Sequence, residues 1–66
     1  MELTINGRAE DLPADMSVAD VLGHFGVDAG RAVVELNREI IPRDRYGVTL
    51  VKAGDVLELV EVVGGG

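Results

Sequence analysis

Cysteine is missing from this 66-residue chain, and so is tryptophan. Without a thiol there is no disulfide, no thiolate ligand for zinc and no cysteine nucleophile. With a single histidine, a metal site would have to be built from carboxylates, and none fall at the spacing of a calcium loop. Hydroxyl groups are scarce too: Ser17, Thr4, Thr49 and Tyr46 are all the chain has. A nucleophile, a base and an orienting group therefore have few candidates, and Ser17 and His24 are both taken up by the short helix described below. Intrinsic catalysis is not expected. Basic residues number six against twelve acidic ones, a formal charge of −6. Such a chain lacks the basic face that displaces counterions from a nucleic acid or docks on anionic lipid. No apolar run nears the ~20 residues of a membrane span. Met1-Glu2-Leu3-Thr4-Ile5 has neither the basic nor the apolar region of a signal peptide. The expectation is a soluble, cytoplasmic domain that binds neither nucleic acid nor membrane.

What is present is enough to fold. Leu, Ile, Val and Phe make up 22 of the 66 residues, well above the level of a disordered chain. One small domain is the limit, with a modest core, since a domain of this size buries only about 60% of the surface its unfolded chain exposes.

Leu3 and Ile5 alternate with Glu2 and Thr4, the period of a half-buried strand. Asn6-Gly7 then predicts a tight hairpin, because a type I′ turn needs positive φ at both central positions. The return strand, about Arg8 to Leu12, is charged enough to suit a sheet edge. Ser17 is read as a helix N-cap, with Asp20 three residues on as the acid of a capping box. Val18, Val21, Leu22 and Phe25 fall on one helical face, and Gly26 is placed to end the helix with Val27 packing back. Gly23, inside that helix, costs about 1 kcal/mol relative to Ala, and close packing or a frayed last turn would explain it.

Val34 and Leu36 predict a third strand, and a tight turn near Asn37-Arg38-Glu39 leads into Ile40-Ile41, halted by Pro42. Pro42 to Tyr46 suits one helical turn with Pro at its first position. Lys52-Ala53-Gly54-Asp55 is a turn, and Val56 to Val63 a final strand whose Leu57 and Leu59 face the core. The order β-β-α-β-β with a final strand is that of an α+β domain, one helix across one face of a sheet. Glu58, Val60 and Val62 then point away from the helix. Two of these three are apolar, on an open sheet face, which suggests a partner-docking patch.

The chain closes Gly64-Gly65-Gly66. Glycines at an end often mean only a frayed terminus, but these follow the last strand with no spacer. Extended, they reach about 10 Å beyond it. A carboxylate on so slim a tail can thread a narrow channel, as an enzyme that adenylates a protein's own C-terminus requires.

These features together resemble the ubiquitin-like β-grasp sulfur carriers, and above all the ThiS sulfur carriers of thiamine biosynthesis. The likeness spans the chain: the Asn6-Gly7 hairpin, the Ser17-Val18 helix start with Leu22, and the run from Val34 through Asn37, Ile40-Ile41-Pro42 and Arg43. It continues through Gly54-Asp55-Val56-Leu57-Glu58-Leu59 to Val63-Gly64-Gly65-Gly66. Tyr46 stands where that family often has tryptophan. The resemblance implies a β-grasp domain over residues 1–63, with a mixed sheet of four to five strands, and a flexible glycine tail at 64–66. It implies that a ThiF-type adenylating enzyme uses ATP and magnesium to activate the Gly66 carboxylate, and that this chain holds no cofactor or metal of its own. Sulfur from a persulfide donor protein then gives a thiocarboxylate, which a ThiG-type thiazole synthase consumes. In that cycle Gly66 carries the sulfur, Gly64 and Gly65 thread the tail, and Glu58, Val60 and Val62 dock the partner. The same tail suits the small subunit of molybdopterin synthase, carriers for cysteine synthesis or tRNA thiolation, or a non-covalent ubiquitin-like binding module.

Overall fold

A computed structural model describes residues 1–63. Five strands form one sheet: β1 (Glu2–Ile5), β2 (Arg8–Asp11), β3 (Ala32–Leu36), β4 (Glu39–Ile41) and β5 (Val56–Glu61). A single helix, α1 (Val18–His24), and a 3₁₀ turn at Arg43–Arg45 complete the elements. In space the strands run β2-β1-β5-β3-β4. β1 and β5 pair in parallel, and all other neighbours are antiparallel. The last strand in the sequence is thus the middle strand of the sheet.

Both hairpins turn on two residues of positive φ. Asn6 (51°) and Gly7 (80°) close the first, Asn37 (50°) and Arg38 (71°) the second. This is the type I′ geometry whose twist matches that of the strands it joins. β2 lies at one edge, as its charge suggests, and β4 at the other.

The helix begins as its sequence predicts. Ser17 Oγ accepts from the Asp20 amide at 3.1 Å and Asp20 Oδ2 from the Ser17 amide at 2.9 Å, a complete capping box. The Val18 and Ala19 amides donate to the carbonyls of Thr49 and Tyr46, so the first turn leaves no orphan donor. It ends in a Schellman motif: Gly26 (φ 68°) donates to the Gly23 carbonyl, and Val27 to that of Leu22.

That ending corrects one expectation. The helical period puts Phe25 on the core face with Val18, Val21 and Leu22, which are indeed sealed. Phe25, however, is the C-cap, where the chain leaves helical geometry, and its side chain is 38% exposed. Two smaller differences concern boundaries. Pro42 sits just outside the 3₁₀ turn rather than at its first position, and β5 ends at Glu61 rather than Val63.

The core lies between the helix and one face of the sheet. Leu3, Val18, Val21, Leu22, Val34 and Leu57 are its fully buried centre. Tyr46 closes one side, 4% exposed, its hydroxyl donating to the Ala32 carbonyl at 2.8 Å. Among the described residues no helix is long and apolar enough to cross a membrane.

Candidate functional site

The residues that matter most for function surround β5, the strand that leads to the glycines. β3 flanks it along five residue pairs, from Ala32 opposite Glu61 to Leu36 opposite Leu57. β1 flanks it on the other side over Thr4 and Ile5, the partners of Val56 and Leu57. Beyond Ile5 the β1 chain turns away, and there the Asn6 side chain takes over. Its Oδ1 accepts from the Leu59 amide at 2.7 Å and its Nδ2 donates to the Leu59 carbonyl at 3.2 Å. Asn37 does the corresponding work at the start of the strand. Its Oδ1 accepts from the Val56 amide at 2.9 Å, and its backbone amide donates to the Val56 carbonyl at 2.8 Å. Asp55 joins in, accepting from Asn37 Nδ2 and from the Lys52 amide.

The chain stays tied past the end of the strand, where the Val62 amide donates to the Arg31 carbonyl at 2.8 Å. Val63 follows, 82% exposed. The expected tail at Gly64, Gly65 and Gly66 lies outside the described residues. What the structure establishes is its root: a central strand hydrogen-bonded on both sides and clipped by two asparagine side chains.

The sheet face away from the helix carries the other expected residues. Glu58 is exposed on it, Val60 is 58% exposed, and Val62, just past the strand, is 53% exposed. Strand register adds neighbours that the linear pattern does not show. Val33 on β3 lies directly opposite Val60, Glu35 opposite Glu58, and Ile40 on β4 beside Glu35. Directly opposed residues point to the same side of a sheet, so these form one surface. Val33 and Ile40 are both exposed. A separate groove of about 410 Å³ opens on the helix side, lined by Ile5, Phe25, Val27 and Leu59, with Glu10 and Glu61 among its polar residues.

The remaining candidates fall to structural roles. His24 packs edge-on against Phe25, with ring centres 5.0 Å apart. Arg43 Nε donates to the Ala29 carbonyl at 3.1 Å, pinning the loop before β3. Among the described residues no group of three or more His, Asp or Glu side chains is placed to hold a metal ion.

Comparison with known proteins then decides the family. The ThiS family model matches residues 1–66. The chain belongs to the ThiS family. It is 34% identical over 65 residues to the "Sulfur carrier protein ThiS" of Bacillus subtilis, covering 97% of this chain and 98% of that protein. A crystal structure of the thiamine biosynthesis protein ThiS from Geobacter metallireducens superposes with a TM-score of 0.86. It is 35% identical and covers 100% of both chains. The mixed five-stranded sheet with one helix is therefore the β-grasp fold of ThiS proteins. A "Thiazole synthase" of Paramagnetospirillum magneticum is also similar, 44% identical over 66 residues. This chain spans 20% of that protein's length. A ThiS-like sequence thus occurs within proteins named for thiazole synthesis as well as in stand-alone carriers.

Proposed function

We propose that this chain is a sulfur carrier for thiazole formation in thiamine biosynthesis, with Gly66 as the group that carries sulfur. The observation that carries the reading is the match to the ThiS family from the first residue to the glycines that follow β5. The fold suits the role. A tail handled by successive enzymes needs a root that does not fray, and β5 is the central strand.

The chemistry follows from the reluctance of a carboxylate to accept a nucleophile. A ThiF-type partner joins the Gly66 carboxylate to the α-phosphate of ATP, with magnesium on the phosphates, and pyrophosphate leaves. The terminal sulfur of a persulfide displaces AMP from the acyl carbon. Cleavage of the remaining S–S bond by a thiol leaves the thiocarboxylate. A ThiG-type thiazole synthase takes that sulfur. Gly64 and Gly65 provide a backbone with no side chain to obstruct a channel, and residues 1–63 act as the handle. Ordering three tail residues costs roughly 3–6 kcal/mol. The outer sheet face, with Glu58, Val60 and Val62, is the surface we assign to supplying that energy by docking.

Removing Gly65 and Gly66 tests the reading. The shortened chain should keep its melting temperature and its affinity for the folded partner's docking surface, yet accept no sulfur. A shortened chain that still supports thiazole synthesis would show a non-covalent module whose glycines are inert.

A further inference from the structure

The outer sheet face carries a pairing that the fold itself does not use. Glu35 on β3 and Glu58 on β5 are directly opposite in the antiparallel register. Side chains so placed have Cβ atoms about 4.5–5.5 Å apart, and like charges there destabilise a sheet. Among the described residues neither carboxylate belongs to an ion pair; those present join Met1 to Asp11 and Arg31 to Asp28. Around the two acids the face is apolar. Val33 and Val60 oppose each other two residues along, and Ile40 stands next to Glu35 on the far side.

We propose that Glu35 and Glu58 together receive an arginine side chain of the adenylating partner, with Val33, Val60 and Ile40 closing around its stem. This rests on the reading of the outer face as the docking surface. Two carboxylates taken out of water side by side would repel each other strongly, so a partner that covers this face must bring a cation. Arginine fits better than lysine: its planar fork offers five donors, enough for two carboxylates at once, and is more weakly hydrated. The apolar surroundings suit its aliphatic stem. A bare cation is a poorer occupant, since calcium takes six or more oxygen ligands. The arrangement would also set the register of docking, because the valines alone offer no direction.

The test is the double variant E35Q/E58Q, which keeps size and removes both charges. Its melting temperature should rise, since the repulsion is gone. Its affinity for the adenylating partner, by calorimetry, should fall by about tenfold or more. The parent's affinity should weaken with added salt and the variant's much less. V60D, measured alongside, separates this proposal from the reading beneath it. If E35Q/E58Q binds like the parent while V60D binds weakly, the docking face stands and the arginine pairing is overturned. Should V60D also bind like the parent, the face is not the docking surface and both ideas fall. Weaker binding with a lowered melting temperature would assign the acid pair to the fold and overturn the proposal.

Discussion

Asn6 and Leu59, separated by 53 positions in the sequence, are joined by two hydrogen bonds between the asparagine amide group and the leucine backbone. A side-chain amide has the same donor and acceptor as a peptide unit, so Asn6 prolongs the β1·β5 ladder past the point where β1 has turned away. The same residue opens the hairpin at φ 51°, a conformation asparagine tolerates better than most. One residue therefore serves the turn and the central strand together.

Replacing Asn6 with alanine should lower stability by about 1–3 kcal/mol, two modest hydrogen bonds and some turn strain. Asn6→Gly keeps the turn and should recover only the strain. Amide exchange at Leu59 reads the bond directly: it should quicken in both variants. Unchanged exchange at Leu59 would mean that the asparagine clip contributes nothing to holding β5.

Tyr46→Phe removes one oxygen and leaves the Ala32 carbonyl without its 2.8 Å donor in a buried setting. An unsatisfied buried acceptor costs about 1–3 kcal/mol. Urea unfolding should show that loss at an unchanged m value. A midpoint equal to the parent's would show that water replaces the hydroxyl.

Gly23→Ala should stabilise the domain. A Cβ built at Gly23 meets nothing within 4 Å, and its φ is not in the left-handed region. Close packing, one sequence-based explanation for this glycine, is therefore not its reason. The gain should be about 0.4–1 kcal/mol. For a domain of this size that is a rise in melting temperature of very roughly 2–8 °C. A lower melting temperature would contradict the geometry of the last helical turn.

The pattern of what could be read beforehand follows from distance along the chain. The Ser17–Asp20 capping box, the Asn6-Gly7 turn and the alternation that buries Leu57 are local, so neighbouring residues suffice to predict them. Phe25 is also local, yet periodicity misplaces it, because a helical period says nothing of where the helix stops. Gly26 ends it one residue too soon for Phe25 to reach the core. The asparagine clips and the Glu35–Glu58 pairing depend on which strand lies beside which. Acidic residues that look scattered along the sequence become neighbours only once β3 and β5 are in register. Nothing in a linear reading makes β5 the central strand. The glycines expected to carry the chemistry are plain in the sequence and fall outside the described residues.

Val60→Asp should leave the melting temperature within about 1 kcal/mol of stability of the parent, since surface changes rarely do more. Val60 is 58% exposed on the sheet's outer face. The affinity for the adenylating enzyme should fall by about tenfold or more, as expected when an apolar contact at the centre of an interface becomes a charge. Calorimetry with unchanged affinity would remove this face from the docking role.

Sulfur carriage itself is tested most directly by the intact mass of the protein after incubation with an adenylating partner, ATP, magnesium and a persulfide donor. The predicted result is the mass change of one oxygen replaced by one sulfur, located at Gly66 and absent when ATP is withheld. An unchanged mass with a partner shown to be active on another carrier would contradict it.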